Sequence, residues 1–334
     1  MTASYWADVL KRWPEATYTG FYNENRVVRV GGQRLVVRRP LPLRGTDIEP
    51  RQLHESEALR AARNAGVRVP DLLHETADAL VCSYVDGSAL IDLDPLQAFS
   101  TTLAEDVADV MKRLEHVPRR SFARWSDANP WHQSTTSCEA LNGIVDWVHQ
   151  TWIVSESATR AALSTIGVTH EVFRQLRQRA SAVSTRPFQL CHGDIQPYNI
   201  FSGADGYVYL DWELAAWMDP LWDVALHLQR TPYPPSVAEH CWLARTSGAR
   251  DLDPGMTSDL ESFVAVEALK SLVNDTIRYV DRYSTGGDCA GLAQGLAQKT
   301  AFASERIGTS SLDADDAHEL LATTAAARPT GRAT

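Results

Sequence analysis

No stretch of this chain is apolar for long enough to cross a bilayer, and residues 1–10 contain Asp8 but no basic cluster leading into an apolar run, as an export signal would have. A cytoplasmic protein without membrane contact is therefore expected. Cysteine is scarce. The five residues Cys82, Cys138, Cys191, Cys241 and Cys289 are odd in number, widely scattered and without a CxxC pair, which argues against both a disulfide framework and a zinc site. They are expected to be reduced and partly buried. No repeat or low-complexity block interrupts a composition that is 44% hydrophobic and 22% charged, the balance of an ordinary globular protein. Positive charge is in deficit. A net charge of −10 opposes a nucleic-acid surface, because phosphate binding needs a basic face and the counterion release that follows. The same acidity keeps a protein soluble and attracts cationic small molecules.

What the chain does have is length and one dense motif. At 334 residues it can bury a sizeable core and can form two domains. The stretch Leu190-Cys191-His192-Gly193-Asp194-Ile195-Gln196-Pro197-Tyr198-Asn199-Ile200 is followed by Tyr207-Val208-Tyr209-Leu210-Asp211-Trp212-Glu213. Two carboxylates and an amide in this order suit phosphoryl transfer. Asp194 is placed to accept the proton of an attacking hydroxyl, while Asn199 and Asp211 offer hard oxygen ligands to a magnesium ion that neutralises a triphosphate. The expected reaction is phosphorylation by a nucleoside triphosphate.

These residues, together with Asp219-Pro220-Leu221-Trp222-Asp223-Val224-Ala225, resemble the aminoglycoside phosphotransferase and choline kinase superfamily, which is related to the protein kinases. In protein kinases the catalytic loop reads His-Arg-Asp and the metal-binding Asp lies in Asp-Phe-Gly. Gly193 and Trp212-Glu213 stand in those places here and favour the small-molecule branch. The resemblance implies an α+β, bilobal protein-kinase-like fold. Its small β-rich nucleotide-binding lobe would occupy residues 1–86 with the hinge at its end, a larger helical catalytic and substrate lobe residues 87–322, and a disordered tail residues 323–334. It further implies a hinge around Ser83, Tyr84 and Val85 whose backbone groups bind the purine edge, Mg2+ as cofactor, and ATP or GTP as co-substrate. The acceptor would be a hydroxyl of a small molecule, an antibiotic in the first reading. A metabolic kinase acting on choline, homoserine, a sugar or a nucleoside is the alternative, and a catalytically inactive binding module a further one.

Residues 18–40 read as two strands around Gly31-Gly32, a hairpin in which the glycines take positive φ. Upstream, Thr19-Gly20-Phe21-Tyr22-Asn23-Glu24-Asn25 occupies the place of a phosphate-covering loop, although it holds a single glycine. Arg38 sits at the end of the second strand, where kinases carry the residue that binds the α and β phosphates and pairs with a helical Glu. Arg39 is the alternative, since neighbouring strand residues face opposite sides. The helix expected over 51–65 offers Glu55 or Glu57 as partner; Glu55, on one face with Leu59, is preferred. Residues 72–75 and 79–85 read as two more strands, ended by Asp86-Gly87.

Beyond the hinge, apolar stripes at spacings of three and four predict helices through Leu96, Phe99, Leu103, Val107, Val110 and Leu114, through Leu141, Ile144, Val145, Val148 and Trp152, and through Val172, Phe173, Leu176 and Ala180. The Trp-rich stretch 122–132 is irregular and a candidate border of the acceptor pocket. In the catalytic segment, His192 anchors the loop, Gly193 allows close backbone approach, and Asp223 secures the loop from a helix begun by Asp219 and Pro220. No cation lies between Asp194 and Asn199, which leaves transition-state charge to the metal and Arg38. A last long helix over 258–283 carries Glu267 and Asp275, which the resemblance to aminoglycoside kinases suggests as contacts for acceptor ammonium groups.

Overall fold

The computed structural model describes residues 2–20, 23–41, 49–126, 131, 133–246 and 254–328. In chain order its elements are α1 (Ala3–Lys11), β1 (Ala16–Thr19), β2 (Asn23–Val30), β3 (Gln33–Pro40), α2 (Glu55–Asn64), β4 (Leu72–Glu75), β5 (Leu80–Ser83), β6 (Ser88–Ala89), α3 (Pro95–Ala98), α4 (Thr101–Leu114), α5 (Ser137–Val154), α6 (Ser157–Thr165) and α7 (His170–Ser181). There follow β7 (Gln189–Cys191), β8 (Ile200–Gly203), β9 (Gly206–Tyr209), β10 (Ala216–Met218), α8 (Leu221–Arg230), α9 (Pro235–Thr246), α10 (Pro254–Ser284), α11 (Cys289–Ile307) and α12 (Ala314–Ala326). This is the mixed α+β architecture expected, with a β-sheet N-terminal region and a helical remainder.

The chain divides into two compact units, Met1–Asn129 with Phe188–Arg250, and Pro130–Pro187 with Asp251–Thr334. This division differs from the expected boundary at residue 86, because α4 and the catalytic segment cluster with the N-terminal sheet. In the first unit five strands form an antiparallel sheet in the order β1-β2-β3-β5-β4. Gly31 and Gly32, at φ 57° and 84°, make the turn joining β2 to β3 in the conformation that an L side chain resists. Alternation along β3 sends Leu35 and Val37 to one face, where they pack with Trp6 and Val9 of α1, Val28, Ala79 and Val81. Arg39 follows that face and donates from Nη2 to the Leu10 carbonyl at 3.0 Å. Val36 and Arg38 face the other way.

A three-stranded sheet β6-β8-β9 and the pair β7-β10 carry the catalytic segment in the same unit. α4 packs on α9 and on β7. The apolar stripe starting at Leu96 is not one helix: α3 ends at Ala98, Phe99 caps it out of helical geometry at ψ 60°, and Leu96 is 87% exposed. α2 begins at Glu55, four residues later than expected, after the extended residue His54.

The second unit is helical. α10 packs on α5, α7, α11 and α12. The stripes predicted on α5 and α7 are buried as expected, with Leu141, Ile144, Val145 and Val148 at 0% exposure. α12 runs through Ala326, and Arg328 behind it donates to both carboxylate oxygens of Glu156 at 2.5 and 3.1 Å, so residues 323–328 are structured where a tail was expected. Residues 329–334 lie outside the described residues. All five cysteines are free, three of them buried.

Candidate active site

The loop between β7 and β8 is held from three sides. Asp223, fully buried on the first turn of α8, accepts the backbone N–H of His192 at 2.7 Å and of Gly193 at 2.9 Å. Burial raises its carboxyl above the ordinary range, while His192 and the two N–H donors pull the other way. His192 Nε2 lies 2.9 Å from the Leu210 carbonyl, which ties the loop to the residue before Asp211. His227, one turn beyond Asp223, places Nδ1 3.0 Å from the Ile195 carbonyl. Gly193 has φ 79°, and a Cβ there would lie 2.0 Å from the Leu214 carbonyl oxygen, so no other residue fits. The roles expected of His192, Gly193 and Asp223 in building the loop are what the structure shows. Asp219 stands one position before the N-cap Pro220 of α8, not at the cap expected, and accepts the Leu221 N–H at 2.8 Å.

Within that loop the Asp194 carboxylate accepts four hydrogen bonds. Gln196 Nε2 is shared between Oδ1 and Oδ2 at 3.0 and 2.9 Å, Asn199 Nδ2 donates to Oδ2 at 2.7 Å, and Arg230 Nη1 to Oδ1 at 2.8 Å. Burial pushes the Asp194 carboxyl up and Arg230 opposes it. Asn199 Nδ2 also donates to the Asp194 carbonyl at 2.9 Å. With its amide nitrogen turned inward twice, Asn199 keeps its side-chain oxygen as a donor for a cation.

Asp211 lies next to this loop, since the Leu210 N–H donates to the Asn199 carbonyl at 2.8 Å. Its backbone is left-handed at φ 63°, and among the described residues it is the only non-glycine residue with positive φ. Such a conformation costs energy and is retained where the surroundings impose it. Arg38 reaches Asp211 with Nη2, while its Nε donates to Glu55 Oε2 at 2.9 Å and Nη2 lies 3.3 Å from Glu213 Oε2. Burial works against the Arg38 charge, but Asp211, Glu55 and Glu213 outweigh it and hold the guanidinium protonated. The structure thus brings Arg38, Glu55 and Asp211 together and places Arg39 on the opposite face. Glu57 points elsewhere, accepting Arg124 Nε at 2.9 Å.

Glu213, read in the sequence only as a mark of the small-molecule branch, completes the cluster with Asn23 and Arg51, which sequence reasoning gave no site role. Glu213 Oε2 accepts from Asn23 Nδ2 and, at 2.9 Å, from Arg51 Nη2; its carboxyl is raised by burial and by the Asp211 charge. A polar pair flanking buried Trp212 was the available signal. A cavity of about 310 Å³ opens beside the cluster, lined among others by Asn23, Arg38, Arg51, Glu55 and Trp125. Ser83, Tyr84 and Val85 do not line it. Ser83 ends β5, exchanging hydrogen bonds with Asp71. Tyr84 carries the Arg34 guanidinium 4.0 Å over its ring. The phosphate-covering loop includes Phe21 and Tyr22, and the Trp-rich stretch includes residues 127–130 and 132, all outside the described residues.

Glu267 and Asp275 belong to the second unit. Glu267 is 0% exposed and accepts from Lys270 Nζ at 3.1 Å. Asp275 meets Lys299 Nζ at 3.0 Å and Arg278 Nη1 at 3.4 Å. Both carboxylates are charge-compensated inside their own unit. That corrects the expectation for Glu267, whose sealed side chain has no surface to offer an acceptor.

Among the described residues no group of three or more His, Cys, Asp or Glu forms a metal cluster. A magnesium site of the expected kind needs none, because that ion takes one or two protein oxygens and completes its shell with phosphate and water. The side-chain oxygen of Asn199 and the carboxylate of Asp211 fit this requirement. No helix among the described residues is long and apolar enough to cross a membrane.

Comparison with known proteins bears on this arrangement. Residues 19–253 match the model of the phosphotransferase enzyme family. A search of curated proteins finds no match. Among solved structures the chain is similar to a Plasmodium vivax ethanolamine kinase, at 13% identity and TM-score 0.62 over 90% of this chain and 85% of that one. It is similar to a thermostable mutant of an aminoglycoside phosphotransferase in ternary complex with AMP-PNP and hygromycin B, at 15% identity and TM-score 0.60 over 92% and 98%. A choline/ethanolamine kinase family protein from Mesorhizobium loti aligns at 19% identity and TM-score 0.59 over 95% of both chains. At these identities the likeness is one of fold, the protein-kinase-like fold of small-molecule kinases.

Proposed function

Because the chain belongs to the phosphotransferase enzyme family, we propose that it moves the γ-phosphate of ATP or GTP to a hydroxyl of a small molecule, with an antibiotic as the first candidate acceptor. One observation carries this reading: Asp194, Asn199 and Asp211 stand in one hydrogen-bonded segment, with Arg38 donating to both Asp211 and Glu55. Retention of all these groups speaks against an inactive binding module.

In the proposed reaction the acceptor hydroxyl binds to Asp194 in place of the neutral, shared N–H of Gln196. Its proton passes to Asp194 as its oxygen bonds to phosphorus, and the bond from phosphorus to the bridging oxygen breaks, its electron pair leaving with the nucleoside diphosphate. Arg38, kept charged by three carboxylates, binds phosphate oxygens with a forked, permanently charged head. Asn199 and Asp211 would hold Mg2+, which supplies charge neutralisation at the phosphates when bound. Ser83, Tyr84 and Val85 are proposed to offer backbone groups to the purine. Catalysis then rests on positioning and electrostatics.

A metabolic acceptor is the second reading, favoured by the likeness to an ethanolamine kinase alongside the hygromycin-bound enzyme. The test is incubation of the purified protein with magnesium and ATP or GTP against a panel of aminoglycoside, peptide and nucleoside antibiotics, choline, ethanolamine, homoserine and sugars, with mass spectrometry for an added phosphate. Phosphorylation confined to a metabolic alcohol would overturn the antibiotic reading. No phosphorylated product and no nucleotide binding would overturn the phosphotransferase itself.

A further inference from the structure

Between Asp194 and Asn199 the loop carries Ile195, Gln196, Pro197 and Tyr198 and no cation. The fold brings one in from elsewhere. Arg230, the last residue of α8, donates from Nη1 to Asp194 Oδ1 at 2.8 Å, and both side chains are 16% exposed. Building on the phosphotransferase reading, we propose that Arg230 is a catalytic residue, steadying Asp194 and facing the transferred phosphoryl group with the positive charge that the loop lacks.

The helix that delivers Arg230 is the one that builds the loop. Asp223 holds the N–H groups of His192 and Gly193, His227 meets the Ile195 carbonyl, and Arg230 reaches Asp194. These three polar residues are spaced by four and then three positions, which puts them on one face of α8. A register fixed at two points leaves little freedom at the third. A cation that merely complemented the helix C-terminus would turn to its last carbonyls; this one turns to the carboxylate.

The position follows from distances. An acceptor oxygen bound to Asp194 lies about 3 Å from the carboxylate and, ready for attack, about 3 Å from phosphorus. A guanidinium already in contact with Oδ1 is then within reach of the equatorial phosphoryl oxygens, where the charge of a loose transition state spreads. When the hydroxyl proton arrives, Asp194 becomes neutral and its hold on Arg230 weakens. The guanidinium remains opposite the phosphoryl oxygens while the electron pair of the broken bond leaves with the nucleoside diphosphate. Arginine suits this double role because its charge is permanent and its planar head carries five donors.

The test needs no knowledge of the acceptor. Calorimetry would compare binding of magnesium and ADP, or GDP where that binds tighter, with and without fluoroaluminate, a planar mimic of the transferred phosphoryl group, in wild type, Arg230→Gln and Arg230→Lys. Arg230→Gln is expected to keep its nucleoside diphosphate affinity and to lose the extra tightening by fluoroaluminate about 100-fold, with Arg230→Lys recovering part of it. Equal tightening in wild type and Arg230→Gln would overturn the proposal. So would loss of diphosphate affinity or of folding in both variants alike, which would make Arg230 a structural residue. A wild-type protein that binds no magnesium nucleotide would instead remove the phosphotransferase reading on which the proposal rests.

Discussion

The carboxylate of Asp223 holds two consecutive backbone amides, His192 N–H on Oδ2 and Gly193 N–H on Oδ1, at 2.7 and 2.9 Å, with all three residues buried. The loop that carries Asp194 is therefore shaped by a side chain from another element, and by no hydrogen-bond ladder of its own at that point. Asp223→Ala leaves both amides buried without a partner, a loss of about 2–4 kcal/mol. Urea unfolding of the variant should show the lowered midpoint, and phosphoryl transfer should fall with it. An unchanged midpoint would mean that water or another group takes over both donors.

Asp194→Asn should lower turnover by about 100- to 10,000-fold while leaving nucleotide affinity near that of wild type, because a general base touches the acceptor hydroxyl and not the nucleotide. The amide can still meet Arg230 or Gln196 through its oxygen, so folding should be preserved. Initial rates and nucleotide titrations on the same preparation check both halves. Turnover close to wild type would remove Asp194 from the mechanism.

Asp211 and Asn199 should separate. Asp211→Ala removes the charged ligand and frees Arg38 from one of its carboxylates, so magnesium-dependent nucleotide binding and turnover should be lost together. Asn199→Ala removes a neutral ligand and a donor to Asp194, so turnover should suffer more than binding. Calorimetry at saturating magnesium distinguishes them; equal nucleotide affinity in wild type and Asp211→Ala would count against the metal assignment.

Glu267→Gln should act on stability and not on the acceptor. The residue is fully buried against Lys270, and breaking a buried ion pair from one side typically costs about 3–5 kcal/mol, since it strands the other charge. A fall in thermal midpoint with unchanged acceptor KM is the expected outcome. A large rise in acceptor KM without loss of stability would return Glu267 to the acceptor site.

How far these features could be read in the sequence depended on whether they are local. Gly31-Gly32 announces its turn because only glycine takes two positive φ values cheaply. The choice between Arg38 and Arg39 was open because alternation gives two faces without saying which is inside; the packing of Trp6 and Val9 and the Leu10 carbonyl put Arg39 on the α1 face, and α1 is remote in sequence from β3. The stripe from Leu96 to Leu114 had helical spacing throughout, yet Asp94 and Pro95 start a short helix of their own, and periodicity does not report a break between two helices on one line. Arg230 was invisible for a similar reason. It lies 36 residues from Asp194, and nothing in a solitary arginine at a helix end names its partner. The burial of Glu267 was not legible either, because a buried ion pair and a solvated helix charge look alike in a sequence.

His227 gives the loop a dependence on pH. Its ring is fully buried, with Nδ1 3.0 Å from the Ile195 carbonyl and Nε2 2.9 Å from the Tyr233 hydroxyl. The neutral tautomer with hydrogen on Nδ1 satisfies both, donating to the carbonyl and accepting from the hydroxyl. Burial lowers its pKa from the ordinary 6.5 to about 4. Between those values the unfolded chain binds a proton that the folded chain does not, so stability rises with pH across the window. The stabilisation is complete above pH 6.5 and is lost as pH falls toward 4, a change of about 3 kcal/mol. Other groups titrate over the same range, so the comparison must be with a variant. His227→Gln, which cannot charge, should be less stable than wild type near neutrality and lose less on acidification. Unfolding free energies of the two proteins from pH 7 down to about 4.5 would show their difference shrinking. A constant difference would mean that His227 does not titrate there, and the coupling between this ring and the catalytic loop would have to be purely steric.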